Sequence, residues 1–233
     1  MTERGKYIVI EGHDGTGKSL QAQRLRQHLA QHGIKLAQFR VEEPDGATTD
    51  DEQPLVPMAS ELRKIIKNGT LDRDPLTNVL LFTAARRLNW LNAIHPALRD
   101  GLTVVTTRNF VSTIAYQGYG EGFSIEDIET RTETDVGSEY LHPDLTIILS
   151  LGSHAARKAR IANRGDLETP DAFESRQDDF QERVRLGYEA YAHSRGIPIV
   201  DASGTPEEVE QLVWDHIKGL LLLDEARSYV TKS

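Results

Sequence analysis

A glycine-rich motif near the start of the chain constrains its fold more than any other feature. Residues 12–19, GHDGTGKS, match the pattern G-x-x-x-x-G-K-[ST] in full. A short apolar run precedes the motif at residues 6–11, and helical spacing follows it at residues 19–32. A strand, a glycine-rich turn and a helix in this order surround phosphate oxygens with main-chain N–H groups, and the helix N-terminus adds partial positive charge. The sequence therefore predicts an α/β fold that binds a nucleoside triphosphate.

The residue types inside the motif indicate how this loop holds its ligand. Lys18 can reach the β- and γ-phosphates of ATP, and the Ser19 hydroxyl can bind Mg²⁺. A triphosphate repels Asp14 unless that carboxylate meets a cation or a sugar hydroxyl, so we expect Asp14 at the Mg²⁺ or at the ribose of an acceptor. A simple Asp-Gly turn is the alternative. The predicted ATP-binding residues are Gly12, His13, Asp14, Gly15, Thr16, Gly17, Lys18 and Ser19, with Ser19 and Asp14 as metal ligands.

Composition and charge exclude several other classes of protein. The formal net charge of −9 argues against a general affinity for DNA or RNA phosphates. The absence of cysteine rules out disulfides and thiolate nucleophiles. The N-terminal apolar run is too short for a signal peptide or a membrane span, so a cytoplasmic protein is the default expectation. The expected partners are small-molecule nucleotides, not nucleic acid and not a membrane.

The hydrophobic pattern alternates between strands and helices along the chain. Strands are expected at residues 6–11, 34–41, 102–106, 145–151 and 197–200. Helices are expected at 19–32, 59–68, 74–99 with a bend at Pro96, and 206–223, and residues 42–57 are expected to form a loop. This order predicts one domain over residues 1–233: a doubly wound parallel sheet of about five strands flanked by helices. Residues 162–170, ANRGDLETP, are the candidate for a mobile lid within about 157–174.

Ordered motifs along nearly the whole chain resemble those of thymidylate kinases. Residues 11–19 look like the family's E-G-x-D-G-x-G-K-[ST], and residues 43–46, EPDG, are similar to its E-P-G-G. Residues 81–86, LFTAAR, look like L-F-x-A-D-R, and residues 107–118 keep the register of D-R-[YF]-x-x-S-x-x-A-Y-Q-G. Residues 180–188 resemble the helix that follows the family's lid. The resemblance implies a P-loop NTPase fold, transfer of the ATP γ-phosphate onto dTMP with Mg²⁺, and a homodimer.

Three residues of these motifs also make physical sense as an acceptor site. Phe82 and Arg86 are four residues apart and share a helix face, so a ring could stack on a pyrimidine while a guanidinium binds its carbonyl. Periodicity alone favours a core ring and a surface charge for this pair, and the resemblance reverses that preference. Arg108 ends a strand, where open parallel sheets bind ligands, and its fork could hold the acceptor phosphate. A surface ion pair is the alternative for Arg108.

The resemblance extends the acceptor site to further residues. Tyr116 and Gln117 are expected at the sugar and the base edge, although Tyr116 could equally belong to the core. Arg63 is expected near the acceptor phosphate, with a solvated helix charge as the alternative. The full set of predicted acceptor-binding residues is Glu43, Arg63, Phe82, Arg86, Arg108, Ser112, Thr113, Tyr116 and Gln117.

Phosphoryl transfer requires positive charge around the moving group, and the resemblance to thymidylate kinases implies that the lid supplies it here. Arg157, Lys158, Arg160 and Arg164 lie in or beside the lid segment. Arg160 and Arg164 are the predicted lid residues that close on the phosphates, and a solvated basic helix face is the alternative. Together with Lys18, Arg108 and Asp14 they complete the predicted catalytic set.

Several positions depart from the family pattern, and they cluster at the site. These departures are Glu42, Asp45, Ala85, Thr107, Asn109, Ser150, Gly152 and Ala172. Thr107 stands where the family has a carboxylate. Because an acceptor phosphate is already ionised, the reaction needs positioning and electrostatics more than a general base. The sequence therefore predicts an active dTMP kinase with weakened turnover. Alternatives are a non-catalytic nucleotide-binding or regulatory protein of the same fold, and a kinase with a changed nucleoside or nucleotide acceptor.

Overall fold

The computed structural model describes residues 3–49, 51–153, 156–158, 160, 173 and 176–230. These residues form a six-stranded sheet in the order β3-β2-β4-β1-β5-β6 with helices on both faces. The strands are β1 (Tyr7–Gly12), β2 (Arg40–Glu42), β3 (Ala47–Thr48), β4 (Val104–Thr107), β5 (Leu145–Ser150) and β6 (Ile199–Asp201). Neighbouring strands are parallel except for β3, which is antiparallel to β2.

Helices connect these strands and cover the sheet. They are α1 (Lys18–Gln31), α2 (Pro57–Lys67), α3 (Pro75–Asn89), α4 (His95–Arg99), α5 (Phe110–Thr113), α6 (Ile125–Asp135), α7 (Ser138–Leu141), α8 (Asp178–Arg195) and α9 (Pro206–Val230). Two segments, Trp90–Ile94 and Ile114–Gly120, are π-helical. The alternation of strands and helices confirms the predicted doubly wound α/β class.

The two faces of β1 build two separate parts of the core. Ile8 and Ile10 are buried against α1 and α9, whereas Tyr7 and Val9 belong to the larger cluster under α3, α5 and α8. Side chains alternate between faces along a strand, so Glu11 projects from the same face as Tyr7 and Val9. The last polar residue of β1 is thereby placed under α5 and α8, beside the carboxyl ends of the parallel strands.

The sheet differs from the sequence prediction at its β2 edge. The regular strand is only Arg40–Glu42, and Leu36 makes an isolated bridge to Thr103 instead of extending a strand over 34–41. Arg26 donates to the Ala37 carbonyl at 3.0 Å, so a side chain satisfies one of the acceptors that a longer ladder would use. The predicted loop at 42–57 contains β3, which gives six strands where about five were expected.

The predicted long helix at 74–99 is interrupted before Pro96. Helix α3 ends at Asn89, the π-helical turn Trp90–Ile94 follows, and α4 begins at His95. Proline cannot donate to the carbonyl four residues earlier and its ring crowds that carbonyl, so the helix widens one turn before Pro96. The final helix reaches Val230, seven residues beyond the predicted end at Leu223.

Parts of the sequence prediction lie outside the described residues. The candidate lid at 162–170 is among them, as are Arg164 and Ala172. A single domain over residues 1–233 stays a prediction. No helix in the part of the chain that the structure describes has the length and apolar character needed to cross a membrane.

Candidate active site

The phosphate loop lies between β1 and α1, as the motif predicted. Gly17 precedes α1 with φ 89°, a left-handed conformation that suits glycine, and no side chain caps the helix there. The first N–H groups of a helix lack partners within it, so they remain available for an anion. Lys18 Nζ donates to the His13 carbonyl at 2.9 Å and lies 3.7 Å from Asp14, so the lysine is held over the loop. Ser19 lies exposed in the first turn of α1.

A cavity next to this loop collects most of the predicted acceptor residues. It encloses about 480 Å³, part of it open to solvent. Its walls are Asp14, Pro44, Arg63, Phe82, Arg86, Arg108, Ser112, Thr113, Tyr116, Gln117 and Phe173. Eight of the nine predicted acceptor residues therefore surround one space. The ninth, Glu43, is buried behind the wall.

Arg108 connects the cavity to the phosphate loop. Its guanidinium pairs with Asp14, donates to Ser112 Oγ at 3.2 Å and lies 5.7 Å from the centre of the Tyr116 ring. Arg108 has φ 67°, a left-handed conformation that strains a non-glycine residue. Such strain concentrates at functional sites, where the surrounding structure holds it in place. The arginine predicted to hold an acceptor phosphate thus faces the donor loop.

Asp14 lies close to the charged groups of both Arg108 and Lys18, where the cavity meets the phosphate loop. Burial by itself would raise the pKa of Asp14, but the nearby Arg108 guanidinium and Lys18 ammonium outweigh it and leave the pKa below its ordinary value. The Tyr116 hydroxyl donates to Asp14 at 2.6 Å. Asp14 is therefore ionised at neutral pH. Its predicted contact with Mg²⁺ or a sugar stays a prediction.

Glu11 organises the site from below, and sequence reasoning gave it no role. This fully buried carboxylate accepts hydrogen bonds from the Asn109 N–H at 2.7 Å, from Ser112 Oγ at 2.9 Å and from the Tyr188 hydroxyl at 3.2 Å. These bonds tie the end of β1 to α5 and α8. A glutamate at the end of an apolar strand was the available signal, because a buried charge requires such partners.

Arg86 and Phe82 form the predicted base-binding corner of the cavity. Arg86 is 2% exposed, lies 5.2 Å from the centre of the Phe82 ring and donates to Thr113 Oγ1 at 2.6 Å. Its Nε lies 3.3 Å from the Glu43 carboxylate. The alternative of a surface charge at Arg86 is therefore wrong. The pair gives the cavity an aromatic wall beside a fixed cation.

Glu43 and Gln117 are buried polar groups at the same corner. Burial raises the pKa of Glu43 to about 7, although Arg86 and the Tyr140 hydroxyl both favour its ionised form. The Gln117 amide is fully buried and makes no hydrogen bond through either of its polar atoms within the described residues. A buried amide without partners costs free energy, so a polar ligand in the cavity would satisfy it.

Arg63 lines the cavity and is paired with Asp45, one of the positions that depart from the family pattern. It forms an ion pair with Asp45, and Lys67 lies 3.8 Å from the same carboxylate. Arg63 lines the acceptor cavity and is not a solvated helix charge. The aspartate at position 45 therefore holds the arginine at the edge of the predicted acceptor site.

Arg160 and Arg157, both from the predicted lid segment, contact different parts of the structure. Arg160 donates to the carbonyls of Ala202 and Gly204 at 2.6 and 3.1 Å, so in this structure it binds the segment after β6. Arg157 instead lies at the phosphate loop, where it is 5% exposed and its Nε donates to the Asp14 carbonyl at 3.2 Å. A second cavity of about 310 Å³ lies beside Arg157. Its walls are His13, Asp14, Thr16, Ile148, Leu149, Ser150, Leu151, Ser153, Arg157, Arg185 and Tyr188.

Two departures from the family pattern have structural roles. The Asn109 side chain accepts from the Val111 N–H at 2.9 Å and so caps α5. Ser150 donates to Glu189 at 3.1 Å. Thr107 is buried at the end of β4, where its register neighbours are Ile10 and Glu42. No cluster of three or more His, Asp or Glu residues that could hold a metal occurs in the described part of the chain.

These features define a class: a P-loop α/β protein whose phosphate loop lies beside a cavity walled by arginine, aromatic and amide side chains. Comparison with known proteins agrees. The family model for thymidylate kinase matches residues 10–213. A thymidylate kinase of Chlorobaculum parvum is 31% identical over 230 residues, covering 94% of this chain and 99% of that protein. One of Gluconobacter oxydans is 36% identical over 211 residues, covering 90% and 92%.

A third relative, a thymidylate kinase of Dehalococcoides mccartyi, is 37% identical over 184 residues, covering 79% of this chain and 80% of that protein. The relatives match most of both chains, and the residues matched by the family model include the loop and the cavity residues. The chain belongs to the thymidylate kinase family.

Proposed function

We propose that this protein transfers the γ-phosphoryl group of ATP to dTMP and forms dTDP and ADP. The observation that carries the proposal is Arg108, whose guanidinium lies at the junction of the phosphate loop and the acceptor cavity. Family membership supplies the nucleotides, since the relatives are named thymidylate kinases. The side chains at the cavity match a phosphorylated pyrimidine: a cation for phosphate, a ring for stacking and polar groups for the base edge.

The residues divide the chemistry between donor and acceptor. The loop N–H groups and Lys18 bind the β- and γ-phosphates, and Arg157 adds a second cation beside the loop. Arg108 neutralises the acceptor phosphate, whose oxygen is already ionised and needs no general base. Bound Mg²⁺, held at Ser19 and the nucleotide, would supply charge neutralisation on the transferred group. Catalysis then rests on alignment and electrostatics.

At the base, Phe82 and Arg86 would bind the pyrimidine ring and a carbonyl. Gln117 would exchange its unpaired amide for hydrogen bonds to the base edge. Tyr116 would contact the sugar, and its hydroxyl would remain bonded to Asp14. Arg63, Ser112 and Thr113 complete the wall.

Glu43 argues against a nucleoside as the acceptor. A nucleoside kinase must deprotonate a hydroxyl and needs a carboxylate that reaches the acceptor. Glu43 is fully buried, bonds to Tyr140 and Arg86, and does not line the acceptor cavity. Glu43 is therefore engaged with Arg86 and Tyr140 and does not reach an acceptor in the cavity.

A coupled assay of ADP release tests the proposal. The acceptors are dTMP, dUMP, dCMP, dGMP, UMP and thymidine, each with ATP and Mg²⁺. We expect the highest kcat/KM with dTMP and loss of turnover in Lys18→Ala. ATP binding by calorimetry without ADP formation from any acceptor would identify a non-catalytic binder and overturn the proposal. Preference for thymidine over dTMP would indicate a nucleoside kinase.

The resemblance also implies a homodimer, which we propose forms through α3. Leu76 and Leu80 lie one turn apart on this helix and are 37% and 45% exposed. Met58 and Ile65 are exposed on α2, which packs against α3. Exposed apolar side chains on adjacent helices are typical of a surface that a partner covers.

A further inference from the structure

Gln181 lies in the first turns of α8 and joins two parts of the site that are far apart in sequence. Its side chain is buried, at 2% exposed. One end of the amide meets His13 Nε2 of the phosphate loop at 2.7 Å, and the other end donates from Nε2 to the Phe173 carbonyl at 2.6 Å. One end of the amide is thus bonded to the phosphate loop, and the other is bonded to a residue of the cavity wall.

The direction of these two bonds follows from the amide itself. A carbonyl only accepts, so the Gln181 nitrogen faces Phe173 and the Gln181 oxygen faces His13. His13 Nε2 must therefore carry a hydrogen and donate. The Gln181 oxygen thereby selects the form of His13 that carries a hydrogen on Nε2.

Phe173 carries this connection into the acceptor cavity. Its ring is part of the cavity wall, with its centre 5.8 Å from that of Phe82 and 6.1 Å from that of Tyr116. Arg176 lies over the same ring at 4.8 Å and pairs with Glu121 at 2.7 Å. The ring is therefore fixed from outside while Gln181 fixes its main chain.

We propose that Gln181 is a positioning residue that couples the phosphate loop to Phe173, so that a nucleoside triphosphate on the loop and dTMP in the cavity strengthen each other's binding. The inference rests on the proposed function. Gln181 lines neither cavity, so it acts through His13 and Phe173 and not by touching a nucleotide. A nucleotide that fixes His13 in the phosphate loop also fixes Gln181, because the two side chains are bonded. Gln181 in turn holds the Phe173 carbonyl, and so positions the Phe173 ring in the wall of the acceptor cavity.

A second connection runs in parallel. The Tyr116 hydroxyl donates to Asp14 of the loop, and its ring contacts Phe173. Removal of Gln181 is therefore expected to reduce the coupling without abolishing it. Tyr116 also lines the acceptor cavity, so its substitution would alter binding directly and could not isolate the coupling.

Calorimetry measures the coupling as the ratio of two dissociation constants for dTMP, one measured without and one with a bound ATP analogue. The affinity for dTMP is determined without and with a saturating, non-hydrolysable ATP analogue and Mg²⁺. In the wild type we expect the analogue to tighten dTMP binding at least fivefold, about the lower end of typical coupling between sites, and dTMP to tighten analogue binding by the same factor. In Gln181→Met, which loses both bonds, the ratio should fall at least threefold toward one.

Two further variants serve as controls. One tests the two Gln181 bonds separately, and the other tests whether a loss of stability alone changes the ratio. Gln181→Glu keeps an acceptor for His13 and loses the donor to Phe173, so it should reduce the coupling as Gln181→Met does. Val184→Ala removes buried volume from the same helix and leaves both Gln181 hydrogen bonds in place, so it should keep the wild-type ratio. A wild-type ratio of one, or a ratio unchanged in both Gln181 variants, would overturn the inference.

Nitrogen-15 NMR of the nucleotide-free protein tests the connection without dTMP. His13 should carry its hydrogen on Nε2 in the wild type and in Gln181→Glu, and should shift to a mixture of tautomers in Gln181→Met. An Nδ1–H tautomer in the wild type would refute the bond on which the coupling depends. Absence of ADP formation with dTMP refutes the proposed function, whereas turnover with an unchanged ratio refutes the coupling alone.

Discussion

The Arg108 side chain contacts both the phosphate loop and the predicted acceptor cavity. Its left-handed backbone follows directly on β4, and its guanidinium meets the ionised Asp14 of the phosphate loop. In the proposed reaction, this contact would place a cation where the two phosphates approach each other. Glu11 supports this arrangement from below, because it bonds Ser112 and Tyr188, which Arg108 also contacts.

Arg108→Lys should weaken use of the acceptor. Lysine keeps one positive charge but loses the fork that can bind a phosphate through two N–H groups. With about 2 kcal/mol for a lost charged hydrogen bond, kcat/KM for dTMP should fall roughly 30-fold, whereas KM for ATP should change little. Steady-state kinetics provide the measurement, and Arg99→Lys, at an exposed position, is the matched control. An unchanged kcat/KM would contradict a phosphate-binding role.

Glu43 should make stability depend on pH. Its pKa is about 7 in the folded protein against an ordinary 4.5, so between these values the folded state holds more protons and stability falls as pH rises. Its favourable contribution is complete below about pH 4.5 and lost above about pH 7. From pH 5 to pH 8 the wild type should lose roughly 2–3 kcal/mol of unfolding free energy relative to Glu43→Gln.

Urea denaturation at the two pH values measures this difference, and Glu126→Gln, at an exposed position, controls for the loss of a carboxylate. Equal pH dependence in the wild type and Glu43→Gln would show that Glu43 titrates normally.

At the scale of elements, α8 and the π-helical segment Ile114–Gly120 pack unusually closely. A Cβ added at Gly187 of α8 would lie 2.6 Å from Tyr119, and one added at Gly120 would lie 2.6 Å from Phe180. Each glycine thus admits an aromatic ring from the opposite element. This close approach lets Tyr188 reach Glu11 and Gln181 reach His13.

Gly187→Ala and Gly219→Ala should have opposite effects on stability. The first forces a methyl group into Tyr119 and should cost about 1–3 kcal/mol, as overpacking of a core does. The second lies on α9 with nothing within 4 Å of its added Cβ, so the higher helix propensity of alanine should stabilise by about 0.5–1 kcal/mol. Urea midpoints distinguish the two. A neutral Gly187→Ala would show that α8 can move away from the π-helical segment.

For the whole molecule, adjacent strands place donor and acceptor sites side by side. The phosphate loop follows β1 and Arg108 follows β4, and these two strands pair in parallel. Their carboxyl ends therefore open on the same side of the sheet, as in other open α/β folds. Helix α3 supplies the predicted base-binding corner from its buried residues and also carries the exposed leucines.

Leu80→Glu should dissociate the proposed homodimer, because a charge in an apolar interface loses its hydration without gaining a partner. Leu212→Glu on α9 is a matched control, since both leucines are 45% exposed. Sedimentation velocity should show a dimer for the wild type and Leu212→Glu and a monomer for Leu80→Glu. A monomeric wild type, or a dimer that survives Leu80→Glu, would rule out this interface.

The sequence by itself determined the phosphate loop, because glycine spacing, strand and helix all lie within 27 residues (6–32). Its ordered motifs also predicted nine acceptor residues, and the structure places eight of them around one cavity. Element boundaries were less accurate: the π-helical turn before Pro96 and the short β2 depend on how neighbouring carbonyls are satisfied.

Only the tertiary structure decided the connections among these parts. Glu11 meets Tyr188 across 177 residues, and His13 meets Gln181 across 168. Hydrophobic periodicity reports which face of an element is buried, not which distant side chain it faces. Packing between elements distant in sequence also places Arg157, and not Arg160, at the phosphate loop. It likewise brings Phe173 into the cavity wall. Long-range hydrogen bonds among buried polar groups are the physical information that local sequence patterns lack.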